Sequence, residues 1–181
     1  MKALTISQPF ASLIASGEKW VENRTWRTDH RGPLAIHAGK GTQYLTKTDL
    51  AQYPHGCVIA VVDLVACLPL ASLRQHGGSA VLDMLGLTPA SVLAHEHTAG
   101  PWCWILRNVR PVACVPWIGC QGLFEITDVC RVCGCSEFDA CLHEVAGPCS
   151  WAEPDLCSHC QAGLDCGSRD SRLVAEMEAA L

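Results

Sequence analysis

Gly17-Glu18-Lys19-Trp20-Val21-Glu22-Asn23-Arg24, followed after a short gap by Arg31-Gly32-Pro33-Leu34-Ala35-Ile36-His37-Ala38, decides how this 181-residue chain folds. From Lys19 to Thr25, alternation places Trp20, Glu22 and Arg24 on one side and Lys19, Val21, Asn23 and Thr25 on the other. Neither side is a plain core face. A strand polar on both faces is either an exposed sheet edge or the wall of a polar cleft, and pattern alone leans to the edge. Arg31-Gly32-Pro33 is a turn into Leu34–Ala38, a buried strand carrying one imidazole near its end.

Upstream, residues 3–6 (ALTI) form a short strand. Ser7-Gln8-Pro9 then reads as a helix start, with a capping side chain before proline, Phe10, Leu13 and Ile14 on one face and Gly17 as the stop. Downstream, VIAVVDLVAC (Val58–Cys67) is a long apolar strand containing Asp63. A buried carboxylate needs a partner, and Arg31 or another basic group is expected to supply it. Further strands are predicted at Trp102–Val109 and Gly122–Ile126, with a helix within Ala80–His95. Several short strands with two or three helices indicate an α+β fold built on a small β-barrel with flanking helices.

After Ile126 the composition changes. Residues 130–166 hold eight of the thirteen cysteines, with Gly, Asp and Glu and few aliphatics, so this stretch cannot build a hydrophobic core of its own. The predicted division is a domain at 1–127, a cysteine-rich metal-stabilised module at 128–166 and a C-terminal helix at 167–181, where Leu173, Val174, Met177 and Leu181 share one face. Cys57, Cys67, Cys103, Cys114 and Cys120 are scattered among apolar residues and read as ordinary small core residues. No run of 18 uncharged apolar residues occurs, and MKALTISQPF lacks an apolar h-region, so the expectation is an unexported cytoplasmic protein with no membrane partner. The net charge of −5 is unevenly spread, +3 over residues 1–40, −1 over 41–127 and −7 over 128–181. That excludes a uniformly basic nucleic-acid footprint and confines any such contact to a short segment.

The run Gly17-x-Lys19-x-x-Glu22-x-Arg24, with Arg31-Gly32-x-Leu34-x-Ile36-His37-Ala38, Val61-Val62-Asp63-Leu64, Gly100-Pro101-Trp102-x-Trp104 and Gln121-Gly122-Leu123-Phe124, resembles the ASCH domain, a PUA-like fold. The resemblance spans roughly residues 2–127 in the family's order. It implies a PUA-like β-barrel with a cleft beside the Gly-x-Lys segment and a role with RNA, DNA or nucleotides. Relatives include RNA-associated coactivators, proposed ribonucleases and an amidohydrolase acting on acetylated cytidine. In amidohydrolase-like members the cleft carries a Lys-x-x-Thr pair with a distant glutamate. Here Glu22 stands three residues after Lys19, so that pattern is broken, and Thr25, six residues from the lysine, is left to take the hydroxyl role.

Read as chemistry, Lys19 and Arg24 are candidate phosphate grips, the first a mobile point charge and the second a directional fork. Arg31 adds a further cation. Glu22 is either the acceptor for an exocyclic amine or a general base; the bland alternative is a surface ion-pair group worth under about 1 kcal/mol. His37 is either a cleft wall or a satisfied core histidine. Trp20, Trp26 and Trp117 are candidate stacking platforms, and Trp102 and Trp104 include at least one core residue. Two functions follow: a module that binds a nucleotide or a single-stranded, flipped or modified base, or a small hydrolase using Lys19, Glu22, Thr25 and His37 in the same cleft.

Cys130-x-x-Cys133-Gly134 and Cys157-x-x-Cys160 are knuckle-like pairs that suit tetrahedral zinc. Cys135, Cys141, His143 and Cys149 offer ligands for a second ion, Cys166 is a spare thiol, and an iron–sulfur cluster is the alternative cofactor. The module's acidity makes it a poor phosphate grip and points to structure or to docking with a protein partner, with Trp151 and Leu156 as apolar anchors.

Overall fold

The computed structural model describes residues 1–75, 80–137 and 139–164. Its frame is one mixed six-stranded sheet curved into a half-barrel. The strands are β1 (Lys2–Ile6), β2 (Val21–Arg24), β3 (Gly32–Ala38), β4 (Cys57–Pro69), β5 (Trp102–Pro116) and β6 (Leu123–Glu125), in the spatial order β2-β5-β4-β3-β1-β6. β1 and β3 run parallel, with Thr5 opposite His37, and the other neighbours are antiparallel. The expected small β-barrel takes the form of a half-barrel whose edges are β2 and β6.

The central strand β4 explains its own composition. It lies between β3 and β5, nine of its thirteen residues are buried, and register shifts at three places along β5 let it feed both faces of the sheet. A strand covered on both sides reads as a continuous apolar run, as CVIAVVDLVAC does. On one face Ile59, Val62 and Leu64 pack with Leu4, Leu34, Ile36 and Trp104 under α1 (Phe10–Ala15), which contributes Ala11 and Ile14. On the other, Ala66, Cys103 and Ile105 meet α2 (Leu70–Gln75), α3 (Ala80–Met84) and α4 (Pro89–Ala94) through Leu70, Leu73, Leu82 and Val92. Val58, Val61, Val112 and Val115 form a third patch that carries Ile126 and Val129.

Two expectations are corrected and a third is made specific. Ser7 does not cap α1; the fully buried Gln8 accepts from the Ser12 N–H at 3.0 Å and donates to the Pro54 carbonyl at 2.8 Å, an amide meeting both ends of its need. The basic partner expected for Asp63 is Arg110 at 2.8 Å, joined by Asn108 at 2.8 Å; Arg31 instead bonds the carbonyls of Thr28 and His30. Burial alone would raise the Asp63 carboxyl, but those two donors and the Arg110 charge outweigh it and hold it below the usual range. Cys57 and Cys114 are not ordinary core residues but a disulfide across the β4–β5 pair, with Cα atoms 5.6 Å apart. Cys67 and Cys103 are buried as expected, and Cys120 is exposed.

Beyond β6 the chain forms small ribbons, β7 (Leu142–His143) with β8 (Gly147–Pro148) and β9 (Trp151–Glu153) with β10 (Leu156–Cys157), then α5 (Ser158–Gln161). Cysteines and Leu156 make up its apolar centre, while Trp151 is exposed. Arg131 ties Cys130–Cys135 to β9–β10 through Glu153 at 2.8 Å and Asp155. Cys166 and the predicted helix at 167–181 lie outside the described residues.

Candidate functional site

The chain after α1 is turned inward by Gly17, at φ +82°, and by the Lys19 N–H donating to the Leu13 carbonyl at 2.8 Å. That reversal sinks Lys19 to 3 % exposure at the start of β2. Its ammonium meets Glu22 Oε2 at 2.8 Å and the Val21 carbonyl; Glu22 Oε1 faces Arg24 Nε at 3.1 Å. Arg24 Nη2 donates to the Thr5 carbonyl at 2.8 Å, anchoring the row to β1. β2 is thus both a sheet edge and a cleft wall, since its outer side faces the connection after α4. Asn23 fastens that connection, donating to the His97 carbonyl and accepting from the Ala99 N–H at 2.9 Å.

The resulting cleft encloses about 420 Å³, within the common range for small-ligand sites. Lys19, Glu22 and Arg24 form its floor, Thr5 and Ser7 its polar side, and Phe10, Tyr44 and His97 an aromatic wall. Phe10 touches both other rings edge-on, with centroids 5.2 Å from Tyr44 and 5.9 Å from His97. Two cations around one carboxylate leave the floor with one positive charge and unspent donors, while the exposed Glu96, beside His97 at 3.2 Å, adds a second carboxylate to the lining.

The other sequence candidates lie elsewhere. His37 lines a second cleft of about 350 Å³ with Lys40, Trp117, Gly119 and Cys120. Its Nε2 donates to the Trp117 carbonyl at 3.0 Å and its Nδ1 accepts from the Thr5 hydroxyl at 3.2 Å. Burial lowers its pKa, an effect that Lys40 reinforces and the Trp117 bond opposes. Thr5 is common to both clefts. Trp20 packs on the helical face beneath Arg107, 4.9 Å away, and Trp26 abuts the fully buried Trp104 at 4.8 Å, so neither tryptophan stands in the cleft. Thr25 and Arg31 are exposed outside it, Arg31 bonding the carbonyls of Thr28 and His30. Sequence reasoning missed Phe10, Tyr44 and His97 because they come from three separate segments.

The cysteines of the tail converge. The Sγ atoms of Cys130, Cys133, Cys157 and Cys160 lie within 4.8 Å of one another, as do those of Cys133, Cys135, Cys141 and Cys157. The Cys157 N–H donates to Cys130 Sγ at 3.5 Å, and Gly134 takes φ +71° where the knuckle turns. Such clusters can hold a metal ion. Bonds from Cys133 and Cys135 lower the Cys130 thiol, and the bond to Cys130 in turn pushes Cys133 up to about 11. His143 stands outside both groups, accepting from the Val145 and Ala146 N–H groups, while the buried His159 reaches Cys141 Sγ at 3.5 Å.

The ASCH domain model matches residues 4–116, from β1 to the end of β5. The chain belongs to the ASCH family. Activating signal cointegrator 1 of Mus musculus is 38 % identical across 40 % of this chain, and the Homo sapiens protein is 35 % identical across the same share. In both, the chain spans 15 % of the relative's length. Among solved structures, the ASCH protein of Zymomonas mobilis is similar at 18 % identity and TM-score 0.43, covering 69 % of this chain and 86 % of its own. The ASCH match ends before the cysteine tail. Among the described residues no helix is long and apolar enough to cross a membrane.

Proposed function

We propose that the ASCH cleft binds a nucleotide or a single nucleic-acid base. The observation that carries the reading is the Lys19–Glu22–Arg24 row at the floor of a cleft walled by Phe10, Tyr44 and His97. A net positive floor favours phosphate or a base edge rich in acceptors, and the aromatic wall offers faces and edges to a flat ring. The relatives' name, a signal cointegrator, agrees with work on nucleic acid. Binding is favoured over hydrolysis because each Glu22 oxygen already faces a cation, while Thr25 and His37 stand outside this cleft. A general base needs an open lone pair aimed at its proton. Calorimetric titration with ribo- and deoxyribonucleoside monophosphates tests this, alongside incubation with acylated nucleosides and RNA oligomers. Saturable one-to-one binding without turnover is expected; turnover abolished by Glu22→Gln would replace the reading with the hydrolase.

In the tail we propose one zinc ion held by Cys130, Cys133, Cys157 and Cys160, with a structural role. Four thiols within 4.8 Å of one another surround the space of a single ion, whereas an iron–sulfur cluster would hold its cysteines further apart around iron and sulfide. The tail's acidic surface is a candidate for a protein partner, and the expected compartment is the cytoplasm.

A further inference from the structure

We infer that the tail binds a second divalent ion beside the first, in a thiolate-bridged pair sharing Cys133 and Cys157. The inference rests on the single-zinc reading above and extends it. Two four-cysteine groups meet the same distance limit, and they have two members in common. Six cysteines therefore supply the eight coordination positions of two tetrahedra joined along an edge.

The shared edge has the right length. A tetrahedral ion with Zn–S of about 2.3 Å spaces its sulfurs about 3.8 Å apart. Cys133 and Cys157 are 3.8 Å apart, and Cys157 and Cys141 are also 3.8 Å apart. Cys130 and Cys160 complete the ligand set of the first ion, and Cys135 and Cys141 that of the second.

The charge also fits. Each thiol releases its proton to solvent on binding, so six thiolates and two divalent ions leave a charge of −2. Two neighbours can lower that burden by hydrogen bonding, Cys149 to Cys135 Sγ at 3.6 Å and His159 Nδ1 to Cys141 Sγ at 3.5 Å. Both flank ligands of the second ion alone, as outer donors that fix and tune a bound thiolate do. His159 is 4 % exposed, so its proton has few other acceptors. The ion is a soft, borderline divalent cation, zinc or cadmium, because every ligand is a thiolate.

Full-length protein reconstituted with cadmium-113 decides the matter. The expected result is two ions per chain by native mass spectrometry and two cadmium resonances split by mutual coupling, since only a shared sulfur links them through bonds. Cys141→Ser should bind one ion and lose the splitting, whereas Cys149→Ser and His159→Ala should retain two coupled ions. One ion per wild-type chain overturns the pair and leaves the first site standing. Two uncoupled resonances overturn it too, pointing to separate sites completed by Cys149 and His159. No bound ion overturns both readings.

Discussion

The ammonium of Lys19 lies 2.8 Å from the Glu22 carboxylate, and neither side chain is more than a tenth exposed. A buried pair differs in kind from the surface pair that the sequence offered as its bland alternative. Exposed pairs contribute about 0–1 kcal/mol, whereas removing one member of a buried pair leaves an uncompensated charge.

Lys19→Ala is accordingly expected to destabilise the domain, though by less than the ~3–5 kcal/mol of a fully stranded charge, because Arg24 still faces Glu22 Oε1 at 3.1 Å. Adding Glu22→Gln should recover part of that loss by removing a buried carboxylate that has lost one of its two cations. Denaturant unfolding of the single and double variants measures both. A loss below about 1 kcal/mol for Lys19→Ala would mean the pair is solvated.

Arg24 is the cleaner probe of ligand binding because its side chain is 23 % exposed and its removal strands less charge. Charge-assisted bonds contribute about 1.5–3 kcal/mol, so Arg24→Ala should weaken nucleoside monophosphate binding by roughly ten- to a hundredfold. Thermal unfolding should change far less than for Lys19→Ala. Wild-type affinity in this variant would move the site away from the floor of this cleft.

His37 is expected to take up its proton at lower pH than an ordinary histidine. Its folded pKa lies below 6.5, so above 6.5 both folded and unfolded chains hold it uncharged and its contribution to stability is complete. As pH falls below 6.5, the unfolded chain takes up the proton first, and stability declines until the folded pKa is passed. A Cβ built on Gly119 would stand 2.5 Å from the imidazole and 2.8 Å from the Thr5 hydroxyl. Gly119→Ala must therefore shift the ring, and imidazole NMR titration should show its pKa rising toward 6.5. An unchanged titration curve would mean that the loop moves in its place.

The pattern of the chain revealed β2, the β3 imidazole, both knuckle pairs and most strand positions, because each rests on local alternation or spacing. The depth of Lys19 was hidden, since it depends on the turn after α1 and on the 97–99 connection pinned by Asn23. The aromatic wall was hidden for the same reason: Phe10, Tyr44 and His97 meet only in three dimensions. His143 and His159 offered equal ligand chemistry by type. Local hydrogen bonds turn His143 toward its own ribbon, and the helix after Cys157 turns His159 inward. Cys57 and Cys114 gave no signal at 57 residues' separation until β4 and β5 were paired.

Metal removal should unfold the tail and spare the sheet. Apart from cysteines, Leu156 is the only buried residue in the module's apolar cluster among the described residues. One buried leucine does not offset the backbone entropy of ordering this stretch, roughly 1–2 kcal/mol per residue. Structural zinc sites contribute about 10–16 kcal/mol, the largest single favourable contribution open to a module otherwise tied by the Arg131 pairs. The half-barrel has its own core on both faces of β4 and needs none of this. Because thiols must lose protons to bind, affinity should fall as pH is lowered. A chelator titration followed by limited proteolysis and mass spectrometry reads the outcome directly, with cleavage expected beyond Thr127 and the ASCH domain left intact. Should metal-free protein keep a protease-resistant tail, packing and not coordination holds the module. Should the sheet unfold with it, β5 depends on the docked knuckle more than its own core implies.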